Sequence, residues 1–104
     1  MNSNLPEWLM ASLWRAMLGE IYPSIRAIAV ELSKEKKLRI LAYLDREPTE
    51  FDEDAFEVIA MNLSASLDLN QVSNISLEFQ CSTIPVGKLD MLDGCIYARR
   101  EYDM

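Results

Sequence analysis

Six carboxylates stand close together in residues 44–54, LDREPTEFDED, around a single cation, Arg46. The six are Asp45, Glu47, Glu50, Asp52, Glu53 and Asp54. Such oxygen ligands suit general acid–base catalysis or a Mg²⁺ or Ca²⁺ site. They equally suit the start of a helix, whose dipole favours negative charge, or a surface for a basic partner. All four interpretations are open at this point.

The rest of the chain offers little catalytic chemistry. It contains no histidine, so the commonest general base and metal ligand near neutral pH are missing. The three glycines form neither a GxGxxG nor a GxxxxGK[ST] phosphate-binding loop. The acidic stretch also lacks the glycine and the last glutamate of an EF-hand loop. We therefore expect no enzymatic activity, no metal and no cofactor.

Charge and cysteine usage restrict the partners and the compartment. The formal net charge is −7, whereas binding to nucleic acid needs a basic surface, so a basic protein is the expected partner. Cys81 and Cys95 are too few for a disulfide framework and too far apart in sequence for a metal or redox pair. Glu7, Ser12 and Arg15 interrupt the apolar N-terminal stretch. We therefore expect a cytoplasmic protein without a signal peptide or membrane span.

The hydrophobic pattern predicts two helices within one domain, residues 1–104. Apolar residues recur at helical spacing in two places. The first set is Leu9, Leu13, Ala16 and Met17, and the second is Phe56, Ile59, Ala60, Leu63 and Leu67. The second helix is expected over residues 51–67, with Thr49 or Asp52 as its cap.

Four segments have the composition of β-strands. SIRAIAVEL and LRILAYL flank the polar linker SKEKK, which predicts a hairpin. ISLEFQCS alternates apolar and polar residues, and CIYARREY follows as a last strand. We expect the last strand to pair antiparallel with the third and to bring Cys81 near Cys95. The predicted fold is α+β and two-layered, in the order αββαββ, with a four-stranded antiparallel sheet and two helices on one face.

In this fold the acidic stretch connects the second strand to the second helix. Asp52, Glu53 and Asp54 can complement the helix dipole. Asp45, Glu47 and Glu50 lie upstream of the helix and repel one another without a dipole to offset them. This surplus of negative charge indicates a binding surface.

Three segments resemble immunity proteins of bacterial contact-dependent growth inhibition systems. They are WRAMLGEIYPSIRAIAVEL (14–32), LAYLDREPTEFDED (41–54) and KLDMLDGCIYARREYD (88–103). The resemblance runs over residues 13–103, and its most distinctive pieces are YLDREPTE and LDGCIYARRE. It implies a cytoplasmic protein without enzymatic activity that binds and neutralises the C-terminal toxin domain of a delivered effector. Such toxins are most often nucleases, whose phosphate-attracting active sites are basic and can be covered by an acidic inhibitor.

On this interpretation seven carboxylates supply the toxin-facing charge, with an exposed aromatic, Tyr43 or Trp14, as anchor. The seven are Asp45, Glu47, Glu50, Asp52, Glu53, Asp54 and Glu57. We expect Arg46, Arg99 and Arg100 to form ion pairs with Asp45, Asp90 or Asp93 instead of contacting the toxin. The free protein is expected to be a monomer.

Two other functions are consistent with the residues alone. A small carboxylate enzyme or a Mg²⁺- or Ca²⁺-dependent domain would use the acidic stretch as its site. An adaptor or regulator would use the same stretch to bind a different basic protein. Saturable binding of the metal ions would favour the first alternative, and a gene position away from any toxin gene would favour the second.

Overall fold

The computed structural model describes residues 5–67 and 70–99. The elements in this part of the chain are α1 (Glu7–Met17), β1 (Ile25–Leu32), β2 (Lys37–Leu44), α2 (Glu50–Ser66), β3 (Asn74–Cys81), a 3₁₀ helix (Val86–Lys88) and β4 (Gly94–Ala98). Their order agrees with the predicted αββαββ, with the 3₁₀ helix as an addition. Arg100, one of the arginines expected in an ion pair, lies outside the described residues.

The sheet is mixed, with the strand order β3-β2-β1-β4. β1 pairs antiparallel with both β2 and β4, but β3 runs parallel to β2. The prediction of a fully antiparallel sheet is therefore wrong, and so is the pairing of the last strand with the third. The reason is the connection: α2 carries the chain back along the sheet between β2 and β3, which is how parallel neighbours are joined.

Both helices pack on one face of the sheet, as predicted. Their apolar sides meet the alternating apolar residues of the two central strands. The largest fully buried side chains of this core are Leu9, Leu13, Ile25, Ile28, Val30, Leu38, Ile40, Leu44, Phe56, Ile59 and Leu63. Burial of each stabilises the fold by about 1.5–3 kcal/mol.

The opposite face of the sheet is covered as well, by the segment 86–92. Val86 and Leu89 pack against Ala27, Ala29, Leu41 and Tyr43. The Tyr43 hydroxyl donates a hydrogen bond to the carbonyl oxygen of Asp90 at 2.6 Å. This second layer explains why LRILAYL is nearly continuous in apolar residues, since strands buried on both faces have that pattern.

The two cysteines lie on opposite edges of the sheet. Cys81 ends β3 and is half-buried, whereas Cys95 belongs to β4 and is buried. The expectation that they lie close together is wrong, because β2 and β1 stand between their strands. In the described ranges, no helix is both long enough and apolar enough to span a membrane.

Candidate functional site

The acidic stretch forms the loop after β2 and the first turns of α2. Thr49 is the N-cap of α2, which is one of the two predicted caps, and Asp52 stands three residues later in the helix. The expectation that Glu50 lies upstream of the helix is wrong, because the cap at Thr49 makes Glu50 the first helical residue. The backbone N–H of Thr49 donates to Asp52 Oδ2 at 2.8 Å. This bond satisfies a backbone donor at the helix entrance, where no carbonyl of the helix can do so.

The carboxylate of Asp52 is buried and fully engaged. Arg46 donates to it twice, from Nη1 to Oδ2 at 2.7 Å and from Nη2 to Oδ1 at 3.0 Å. The Tyr22 hydroxyl donates to Oδ1 at 2.5 Å. Through these bonds the Asp52 side chain, which is 0% exposed, ties the loop and α2 to the segment before β1. Asp52, which we expected on the toxin-facing surface, and Arg46, expected to pair with other aspartates, are instead partners of each other.

These contacts set the charges of the cluster. The Arg46 guanidinium, together with the Tyr22 hydroxyl and the Thr49 N–H, holds the pKa of Asp52 well below its usual range, although burial opposes the effect. Burial and the hydrogen bond to Asp52 raise the pKa of Tyr22 above its usual value. Asp52 is therefore a permanent anion at neutral pH and Tyr22 stays protonated. This arrangement fixes structure and offers no group for proton transfer.

The other predicted carboxylates are exposed to solvent. They are Asp45, Glu47, Glu50, Glu53, Asp54 and Glu57. Asp45 accepts a hydrogen bond from Arg99 Nη1 at 2.8 Å, in an ion pair that was among those predicted. Within residues 5–67 and 70–99, the remaining five form no ion pair. Their charge therefore faces water without compensation.

Four of these side chains form one stripe along α2. Glu50, Glu53, Asp54 and Glu57 follow one another at i, i+3, i+4 and i+7, which places them on the same side of the helix. We call these four residues the acidic stripe. Like charges at this spacing destabilise a helix by about 0.2–0.5 kcal/mol per pair, and the helix dipole offsets the cost only in the first turn. The stripe thus opposes folding of α2, so the stability of the helix does not account for these charges.

Only one of the two predicted aromatic anchors is exposed. The side chain of Tyr43 is 3% exposed, packed beneath the segment 86–92, so the expectation of an exposed anchor is wrong there. Trp14 is 54% exposed on α1, and its contact with a toxin stays a prediction.

Three exposed apolar residues on α2 were not among the predicted contact residues. Phe51, Val58 and Met61 are 59%, 42% and 70% exposed. The Phe51 ring packs edge-on against Tyr22, with 5.0 Å between ring centroids. A signal was available, because these side chains fall outside the helical spacing of the buried Phe56 and its partners. Their position beside the acidic stripe gives the surface both charge and apolar area.

A groove lies on each side of the first half of α2. On the α1 side, Phe51, Asp54 and Val58 line a groove with Gly19 and Glu20 of the segment after α1.

On the β3 side, Glu53 and Glu57 line a second groove with Leu77 and Phe79. In the part of the chain that the structure describes, no three metal-ligating side chains come together at either groove or elsewhere. The geometry offers a binding surface.

The sequence matches a family model over nearly its whole length. The model described as MafI2 immunity protein matches residues 6–101, a range that includes every element from α1 to β4. No curated protein matches the chain.

Proposed function

Because the chain belongs to the MafI2 immunity protein family, we propose that it binds and neutralises a cognate toxin through the acidic stripe. Family membership supports bacterial toxin immunity, the role that the sequence resemblance implied. It does not extend to contact-dependent growth inhibition, which stays part of the proposal. We choose this surface because the acidic stripe combines unpaired negative charge with the exposed apolar side chains of Phe51, Val58 and Met61.

We further propose that the toxin is a basic nuclease domain. An enzyme that binds phosphate presents a positive active site, and a protein of net charge −7 with its charge concentrated on one helix complements that site. Electrostatic steering raises association rates to ~10⁸–10⁹ M⁻¹s⁻¹ at low salt, so capture precedes damage. The protein acts in the cytoplasm, as a monomer before it binds, and without catalysis of its own.

The predicted contact residues differ in what they contribute to this proposal. Glu47 and the acidic stripe supply exposed, unpaired charge. Asp45 is paired with Arg99, so it contacts the toxin only if the toxin joins or replaces that ion pair. Asp52 acts as a positioning residue, because it holds the loop from beneath. Trp14 lies apart from the other predicted contact residues, on helix α1.

Co-expression tests the proposed role. The toxin domain encoded immediately upstream is produced with and without this protein, growth is scored, and the purified proteins are mixed. We expect restored growth and a stable complex. Continued growth arrest and no complex, with both proteins folded by circular dichroism, would overturn the proposal.

Paired charge variants test the acidic stripe. Glu50→Gln with Asp54→Asn removes two charges from the stripe, and Glu7→Gln with Glu35→Gln removes two exposed charges elsewhere. We expect the stripe variant to slow association on the order of tenfold at low salt and to flatten its salt dependence. The control pair changes net charge equally, so it should have a much smaller effect. Equal slowing by both variants would locate the contact outside the stripe.

A further inference from the structure

Strand β3 is an edge strand with little of the usual protection. Natural edges are kept from pairing with other chains by short length, charged side chains (lysine above all), proline or β-bulges. β3 has eight residues, NISLEFQC, contains no lysine or proline, and pairs with β2 in an unbroken register. Its one charged residue, Glu78, is engaged by Arg39 of β2. β4 at the other edge has five residues and a register shift against β1. Within the described ranges, β2 is the sole strand paired with β3.

The hydrogen-bonding groups on the outer side of β3 can be assigned. The N–H of Ser82 donates to the carbonyl of Leu44 at 3.1 Å, so the backbone of Ser82 faces β2. Because successive residues of a strand turn their backbone groups to opposite sides, those of Ile75, Leu77 and Phe79 face away from β2. The side chains of these three residues are half-buried against the helix-side core. The open edge therefore combines free backbone donors and acceptors with an apolar row.

The charge beside this edge is negative. Glu53 and Glu57 of the acidic stripe line one groove with Leu77 and Phe79, so any chain laid along β3 passes two carboxylates. A second copy of this protein would bring two more carboxylates to the same groove and would be repelled. An extended segment with lysine or arginine side chains fits both the backbone and the charge.

We propose that β3 accepts an extended, basic segment of the toxin as a fifth strand of the sheet. The inference rests on the proposed function and deepens it. Backbone hydrogen bonds to Ile75, Leu77 and Phe79 give the segment its alignment, and Glu53 and Glu57 pair with its cations.

Amide hydrogen exchange, measured residue by residue by NMR, tests the inference on the wild-type protein. In the free protein the amides of Leu77 and Phe79 should exchange faster than those of Ser76, Glu78 and Gln80, which face β2. With the purified upstream toxin domain added, Leu77 and Phe79 should slow by at least about tenfold.

A complex that leaves these two amides unprotected overturns the inference alone, and absence of any complex overturns the proposed function with it. Protection that instead rises with the concentration of the free protein would assign the edge to a second copy and overturn the inference.

A pair of lysine variants on neighbouring residues gives an independent check. Leu77→Lys places a cation in the groove, and Ser76→Lys places one on the other face of the same strand. Circular dichroism establishes that each variant is folded. We expect Leu77→Lys to weaken toxin binding at least about tenfold and Ser76→Lys to leave it close to wild type. Equal binding by two folded variants would contradict the inference, and a Leu77→Lys chain that does not fold leaves the exchange experiment to decide.

Discussion

Asp52 differs from the carboxylates around it because its charge is inside the protein. Removing an ion from water costs several kcal/mol, and here the cost is offset by the paired guanidinium of Arg46 and by hydrogen bonds from Tyr22 and Thr49. A buried pair of this kind adds little net stability compared with apolar packing. Its loss is costly, however, because the remaining partner keeps an unpaired charge.

Substitution of Asp52 should therefore be destabilising. We expect Asp52→Asn to lower the free energy of unfolding by about 3 kcal/mol, at the low end for a buried pair because Arg46 retains contact with water. Urea denaturation measures the effect. Asp54→Asn, an exposed neighbour on the same helix, is the matched control and should change stability by less than about 0.5 kcal/mol. Equal effects of the two substitutions would contradict the assigned role.

The same cluster predicts a pH dependence of stability. The pKa of Asp52 is lower in the folded protein than the unfolded value of about 3.9, so its contribution is present above pH ~4 and is lost as the pH falls further. The pKa of Tyr22 is raised, so its contribution is present below pH ~10 and is lost at higher pH. The difference in stability between wild type and Asp52→Asn should accordingly shrink below pH 4.

At this scale the sequence predicted the charges but not their roles. All seven carboxylates look alike in the chain, and Asp52 is singled out by its burial and by partners that include Tyr22, 30 residues earlier. Likewise, nothing in LAYLDREP shows that Tyr43 lies beneath the segment 86–92, because that contact depends on how distant parts of the chain fold together.

Helix α2 has a buried apolar side and an exposed acidic side. Its buried side was predictable, because Phe56, Ile59 and Leu63 recur at helical spacing and fill the core as expected. Its exposed side holds the acidic stripe, in which repulsion continues past the first turn. If the stripe captures the toxin, as proposed, stability and binding make opposite demands on the same helix.

The position of each stripe residue decides the effect of removing its charge. Glu57→Gln relieves repulsion with Glu53 and Asp54 beyond the reach of the dipole, so it should raise the free energy of unfolding by roughly 0.3–0.5 kcal/mol. Glu50→Gln removes a charge that the dipole favours and should give no gain. Urea unfolding of both variants at low salt provides the comparison. A gain from Glu50→Gln as large as that from Glu57→Gln would contradict the account.

For the strands, the sequence pattern predicted which side chains face the core more reliably than it predicted which strands pair. Alternation in ISLEFQCS indicates which side chains of β3 face the core, and these do pack there. Alternation is the same for parallel and antiparallel partners, so the direction of β3 depended on recognising α2 as a crossover.

At the scale of the whole molecule, the sheet is closed in by layers on both faces while its edges differ. The helices cover one face and the segment 86–92 covers the other, an arrangement that the two-layer prediction did not include. Small residues allow it, since Ala27 and Ala29 let that segment approach the centre of the sheet. The strand order then separates the two cysteines.

This separation gives a prediction for oxidising conditions. Cys81 and Cys95 stand on strands separated by three inter-strand spacings, about 14 Å, whereas a disulfide needs Cα atoms within about 7 Å. After mild oxidation of the folded monomer, thiol alkylation and mass spectrometry should find both cysteines free of an intramolecular bond. An intramolecular disulfide in the folded monomer would contradict the strand order.

The buried Asp52 also has an evolutionary consequence. Because the turn between β2 and α2 is held from its inner side, the outward residues around it can be replaced without rebuilding the backbone that presents them. On the proposed function, Glu47, Glu50 and Asp54 are then free to diversify as toxins change, while the buried carboxylate of Asp52 preserves the scaffold. The same proposal implies that a change of toxin specificity requires substitutions at only a few solvent-facing positions within a short stretch of chain.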